Sequence, residues 1–385
     1  MERHLEENFV AAGMNFADIS VTWLNKHIQH GSHAMMQHVK QLVPEADVLS
    51  VHVPKPIEQS VLVAVSPAAT RVFTGMQQDG VDRHMSITGP QTPASEIFGG
   101  SVGTSRSGLL LSPTTEETRV VNHQMRAALN NTPKDPGAII DTILSASDQG
   151  YGAFDACLHA VTKMLSGDFI VSNHPNAIKK MGRQLDIAAI SVFLRTNRTA
   201  QFAIRQFFSG TSKISAATTD KFHTADAQNG LAGLHITTAS VYWSLVRLSQ
   251  YPDADAKNIA YEVLRHDASP VLSMPRAPLT IADPFQIAVT SPTAVLSSKE
   301  FGNNPHTFDP ERYSNDAGLY AKVTRSAFGM GSHHCPAANF MPQFLTSIVE
   351  SAKNKGVHHV GHPKVNFLQL IVKQPTFRSQ GYVTN

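Results

Sequence analysis

Cysteine is nearly absent from this chain: 385 residues hold two, Cys157 and Cys335. Two thiols pair at most once, so no disulfide framework builds this fold, and a reducing, cytoplasmic compartment is expected. Charge is scarce as well. Sixteen per cent of residues are charged and the formal net charge is +2. That is too little to draw the chain to nucleic acid or to an acidic membrane. Long apolar runs are missing near the start, where Met1-Glu2-Arg3-His4-Leu5-Glu6-Glu7 is charged. Neither a signal peptide nor a membrane anchor is therefore expected.

What remains is a chain 42% hydrophobic, long enough for one large core. The expected architecture is mainly α with small β-sheets, in a single large domain over 1–385. A β-containing region is expected at about 1–75 and a helical core at about 110–385. Within the first region, about 15–43 reads as helix and Ser60-Val61-Leu62-Val63-Ala64-Val65 as strand. Residues 76–110, rich in Gly, Ser and Thr, read as a long loop. Ser112 with Pro113 marks a helix start, with acids in the first turn. Helical patterns follow at 137–147, 151–165, 175–194 and 198–209. Cys157 falls in an apolar helical stretch and reads as a buried structural thiol.

Residues 224–250 carry the most informative pattern. From Ala227 to Val246 there is no Asp, Glu, Lys or Arg, so this helix is expected to be buried on all sides. Thr224 can cap it and Pro252 ends it. Gly230 and Gly233 each cost a helix about 1 kcal/mol relative to Ala. Two of them point to close approach by a flat ligand or a neighbouring backbone. Thr290–Leu296 reads as a strand, 337–354 as a helix and 365–373 as a strand.

The chemistry concentrates in Phe328-Gly329-Met330-Gly331-Ser332-His333-His334-Cys335-Pro336-Ala337. Gly329 and Gly331 permit the positive φ of a tight loop. Such a loop can aim backbone N–H groups at a sulfur and hold a thiolate's charge, which is what a haem-iron ligand needs. Ala337 leaves room for a flat macrocycle, and His333 stands within reach of a propionate. A zinc site from His333, His334 and Cys335 is the alternative, but adjacent ligands are poor zinc spacing.

Phe328, Gly329, Gly331, His333 and Cys335 resemble the cysteine-ligand loop of the cytochrome P450 superfamily, Phe-Gly-x-Gly-x-His-x-Cys-x-Gly. Ala337 stands where the family usually has Gly. Three further segments occur in the family's order. Ala232-Gly233-Leu234-His235-Ile236 lies at the central-helix motif Ala/Gly-Gly-x-Asp/Glu-Thr. Glu262-Val263-Leu264-Arg265 matches Glu-x-x-Arg. Phe308-Asp309-Pro310-Glu311-Arg312-Tyr313 is similar to Pro-x-Arg-Phe, with Tyr313 in place of Phe. The resemblance implies the P450 fold, haem b bound through Cys335, and a buried Glu262–Arg265–Arg312 network. It further implies a propionate contact from Arg276. Departures cluster around the cofactor. Glu117 and Val121 replace the His and Arg that usually hold propionates, leaving Arg119 and His123 as substitutes or as a solvated helix face.

On the distal side, His235 replaces the acid and Ile236 the threonine; in a register slid by one, Thr237 keeps the alcohol and Ile236 replaces the acid. The acid–alcohol pair is broken in both. His235 is either a proton relay or a packed core histidine. The implied activity is a soluble, bacterial-type oxidative tailoring monooxygenase. Its partners would be dioxygen, a small-molecule substrate, and a ferredoxin or flavodoxin with its reductase. Haem-thiolate chemistry of another kind (coupling, peroxide use, nitration, rearrangement), a non-catalytic auxiliary role and a haem sensor or carrier are the alternatives.

Overall fold

In the computed structural model, the described residues are 11–15, 32–53, 59–70, 123, 126–127, 129–130, 135–166, 224–268, 287–329, 334–361 and 381–384. The expected loop at 76–110, the Ser112 helix start, the helices at 175–194 and 198–209 and the strand at 365–373 lie outside them.

The described elements are mainly helical, with two small sheets. In the first sheet β1 (Ala11–Asn15) runs parallel to β2 (Val48–Val53), and β2 pairs antiparallel with β3 (Gln59–Ala64). β4 (Ile287–Thr290) joins parallel to β3, with Val61 opposite Ile287. The apolar run 60–65 is thus a central strand, flanked on both edges. α1 (Ser32–Leu42) lies between β1 and β2. The start of the expected 15–43 helix is corrected: Asn15 ends a strand, because Ala11–Asn15 finds a partner in Val48–His52.

α2 (Pro136–Asp148) starts where Asp135 Oδ1 accepts the Ala138 N–H at 3.0 Å, with Pro136 in the first helical position. Both features satisfy or remove otherwise orphan N–H groups. Its buried stripe is Ile139, Ile140, Ile143 and Ala146. Gly150, at φ 82°, turns the chain, and α3 (Ala153–Ser166) packs back on α2 and also on the central helix α4 (Thr224–Gln250).

Residues 238–246 of α4 are all buried. Nine consecutive residues cover two and a half turns, so every face of that stretch is enclosed. This is the physical consequence of its missing charges. α5 (Ala256–His266) begins at Asp255, whose carboxylate accepts the Lys257 and Asn258 N–H groups.

The expected strand at Thr290–Leu296 is also corrected. Thr290 closes β4, and α6 (Pro292–Leu296) follows. Ser291 Oγ accepts the Ala294 N–H at 3.2 Å and Pro292 sits at the first helical position. That cap outweighs the β-branched residues after it. α7 (Arg312–Asn315), α8 (Gly318–Ala327) and α9 (Phe340–Asn354) come next. A short 3-10 turn, Pro336–Ala338, precedes α9, so the expected 337–354 helix is broken near Asn339. β5 (Val357–His359) and β6 (Tyr382–Thr384) form the second sheet, antiparallel. α9 touches α2, α4 and α5, and its Phe344, Leu345, Ile348 and Val349 lie in the main apolar core.

Candidate functional site

Cys335 leaves α8 by a tight reversal. Phe328 caps α8, Gly329 takes φ 77°, and the Cys335 N–H returns to donate to the Phe328 carbonyl at 2.9 Å. Only glycine takes that φ without strain. The Ala338 N–H then donates to the Cys335 carbonyl at 3.2 Å, opening the turn that feeds α9. The Ala337 N–H lies near enough to the Cys335 sulfur to favour its thiolate. Phe328 and Ala337 pack against the main core.

The electrostatics at this sulfur are divided. Burial pushes the Cys335 thiol's pKa up, while the Ala337 N–H and the Arg126 guanidinium pull it down. Arg126 also opposes protonation of His334, whose pKa is lowered first by burial and then by that cation. Arg126 was not singled out in the sequence. It lies seven residues after Arg119, a spacing that on a continuous helix would give one face. Arg126 is exposed in a helical segment. His123 is exposed too, which agrees with a solvated face.

Gly331 and His333, like Arg276, Glu117 and Val121, lie outside the described residues. Of the zinc alternative, His334 and Cys335 are described; among the described residues no three His, Cys, Asp or Glu side chains gather as a metal site.

α4 passes α9 just beyond the cysteine turn. Thr237 Oγ1 donates to Met341 Sδ at 3.7 Å, and Met341 is six residues past Cys335. Ile236 is half-buried against the core. Gly233 and His235 are helical positions of α4, five and three residues before the enclosed stretch. The structure therefore brings the central helix next to the element that follows Cys335.

Glu262, Arg265 and Arg312 meet in the core. Arg265 grips the carboxylate with two bonds, Nε to Oε2 and Nη2 to Oε1, both 2.7 Å. Arg312 Nε donates to Oε1 at 3.1 Å, and the Asp309 N–H to the same oxygen at 2.9 Å. Tyr313 Oη completes the set on Oε2 at 3.0 Å. Both arginines use their remaining N–H groups on backbone carbonyls: Arg265 on Leu296, Pro305 and Thr307, Arg312 on Phe301, Asn304 and Thr307. The side chains of Glu262 and Arg265 are fully buried. Such burial is sustained only when every charge is paired. Beside them Arg247 forms a second two-bond pair with Asp267, at 2.6 and 2.8 Å. The loop at 296–312 is thus pinned to α5 by charge-assisted bonds, and it leads directly into α8 and the cysteine turn.

Tyr313, the departure from the resembled motif, adds a fifth donor to the carboxylate, and the sequence pattern did not foretell that bond. Its pKa is held well above the usual phenol range, first by burial and then by the Glu262 charge.

A thiolate ligand needs an N–H at the sulfur, a turn that lets the sulfur stand clear of the chain, and a means to hold its charge. Cys335 has the Ala337 N–H, the Gly329 reversal and Arg126, so the residues present fit a haem-iron ligand.

Among the described residues no helix is long and apolar enough to cross a membrane. No protein-family model matches the chain, and no curated protein matches it.

Proposed function

We propose that this chain has the cytochrome P450 fold and is a haem-thiolate oxidoreductase, in which the Cys335 thiolate would hold the iron of haem b. The observation that carries the proposal is the Cys335 turn, with an N–H at the sulfur and the Glu262–Arg265–Arg312 network behind it. In this reading the haem, when bound, supplies reductive activation of dioxygen at the iron, favoured by the electron density of the thiolate. The protein's own residues do the rest. Ala337 N–H and Arg126 hold the sulfur's negative charge. The paired arginines fix the 296–312 segment, so that α8 and the turn after it keep one position. Arg276 would take a propionate, and Gly233 would let α4 approach the macrocycle.

The distal side is where this chain differs from its resembled family. Ile236 has no proton to donate and no lone pair to accept one. Thr237 has its hydroxyl turned to Met341 Sδ on α9, which favours the register with Ile236 in the threonine place. Protons must then come from His235 or from a hydroxyl, amine or carboxylate of the substrate. A small-molecule substrate of that kind, oxidised in a tailoring reaction, is the reading proposed. Electrons come from a ferredoxin or flavodoxin with its reductase. Ile236 also supports a second reading, haem-thiolate chemistry that needs no delivered proton, such as coupling with peroxide.

The test is spectroscopic. The purified protein is expected to be red, and its reduced carbon-monoxide complex to show the strongly red-shifted Soret band of a thiolate ligand. Cys335→Ala should abolish that band and Cys157→Ala should keep it. The band persisting in Cys335→Ala refutes the proposal.

A further inference from the structure

A group of oxidisable side chains lies buried away from the cysteine turn. Tyr242 and Trp243 of α4 have rings edge-on, with centroids 5.3 Å apart. Tyr242 Oη is 3.3 Å from Nε2 of His359 on β5, and the two rings meet at 90° and 5.6 Å. Beyond His359 lies Tyr382 of β6, at 5.7 Å. Its Oη is 3.2 Å from the Cys157 sulfur on α3. Tyr242, Trp243, Tyr382 and Cys157 are 0–3% exposed, whereas His359 is half-buried.

The two buried phenols differ in what they face. A phenol that loses an electron becomes a strong acid and must release its proton at once. Inside a core there is no water to take it, and an unpaired charge there is costly. Tyr242 Oη is within hydrogen-bond reach of His359 Nε2, which accepts a proton in the tautomer that carries its hydrogen on Nδ1, and half-buried His359 can pass the proton on. Tyr382 faces a thiol instead. Burial pushes the Cys157 pKa up to about 12, so that partner stays protonated and is not a base. Burial first, and the nearby Cys157 second, also raise the Tyr242 pKa, so its electron cannot leave from a preformed phenolate. Arg247 lies 5.7 Å from the Trp243 ring. Its charge is matched by the two-bond pair with Asp267, so it is the imidazole at its hydroxyl that marks Tyr242 as the site where the oxidised state rests.

We propose that Tyr242 and His359 form a proton-coupled, one-electron redox site. Tyr242 gives one electron to a one-electron oxidant and its phenolic proton to His359 Nε2. The products are a neutral tyrosyl radical, an imidazolium and the oxidant reduced by one electron. A one-electron reductant of the thiol or ascorbate class reverses the step, the proton returning from His359. The oxidant belongs to the class that haem iron generates with peroxide. That source rests on the proposed function; the Tyr242–His359 pair does not. Tyr242 lies five residues, about 7.5 Å of helix axis, from Thr237 on the same helix. With Ile236 leaving proton delivery weak, the pair drains oxidising equivalents that no substrate receives.

The experiment has two arms on the full chain. In the first, photogenerated ruthenium(III) tris(bipyridine) oxidises the protein, and the tyrosyl radical is followed by transient absorbance and electron paramagnetic resonance. Most of the radical signal is expected to be lost in Tyr242→Phe and retained in Tyr382→Phe. Radical formation is expected to slow in D2O, an effect that His359→Phe removes. A full signal in Tyr242→Phe, or no D2O effect in the unaltered protein, overturns the proposal; the D2O measurement needs no variant to fold. The second arm adds hydrogen peroxide to the haem-loaded protein. A Tyr242-dependent radical there supports haem as the oxidant source. Its absence, with the first arm positive, overturns that source and leaves the pair standing.

Discussion

Tyr313→Phe isolates one hydroxyl in the charged core. The ring stays, and with it the stacking on Tyr320 at 4.9 Å and 11°. What goes is the Oη–H donated to Glu262 Oε2 at 3.0 Å. That oxygen keeps Arg265 Nε at 2.7 Å, so the carboxylate is weakened and not stranded. A buried hydrogen bond to a charged group is worth about 1.5–3 kcal/mol, and the loss should fall in that range. Arg265→Ala is the contrast. It leaves Glu262 short of its two-bond partner and takes one donor each from the Leu296, Pro305 and Thr307 carbonyls, at about 3–5 kcal/mol, and insoluble or haem-free protein is expected. The assay is guanidinium unfolding of Tyr313→Phe at unchanged slope. A second readout comes from pH. The folded-state pKa of Tyr313 is raised, so its contribution is whole below the ordinary phenol value, about 10. It is lost as pH climbs above that, because the unfolded phenol ionises and the folded one does not. Tyr313→Phe should therefore blunt the alkaline loss of stability. A change below about 0.5 kcal/mol, the scale of surface substitutions, with an unaltered alkaline limb would refute the assignment of this bond.

Three other outcomes follow from the same geometry. Cys157, raised from 9.0 to about 12 by burial, contributes stability that is complete below pH 9 and fades toward pH 12; Cys157→Ala should flatten that part of the pH–stability curve, measured by chemical unfolding. In haem-free protein, Arg126→Ala should move the pH profile of Cys335 alkylation upward, since a cation that favours the thiolate is removed; an unmoved profile separates Arg126 from the sulfur. On the distal side, His235→Phe should cut product formed per NADPH while haem content holds, Ile236→Thr should keep or improve coupling with poor substrates, and Thr237→Val should change little. Damage confined to Thr237→Val would restore the slid register, and unchanged coupling in all three would remove α4 from proton delivery.

The legible parts of the sequence were those where one physical demand dominates. A twenty-residue stretch without charge, Ala227 to Val246, forces enclosure, and α4 is enclosed over 238–246. Glu262 and Arg265, three apart on α5, do not by spacing alone distinguish a core network from a surface pair. The resembled Pro-x-Arg-Phe segment added the information, and the observed bonds place Arg312 on the same carboxylate. Legibility failed where a local cap competes with residue preference. Thr290–Leu296 is rich in β-branched residues, yet Ser291 and Pro292 set a helix start. It failed again for contacts between distant segments. Nothing near Tyr242 in sequence announces His359, 117 residues on, and nothing near Cys157 announces Tyr382. Those pairs exist because α3, α4 and the β5–β6 sheet pack in one core, and only the packing turns two ordinary tyrosines into chemically different groups, one facing a base and one facing a thiol.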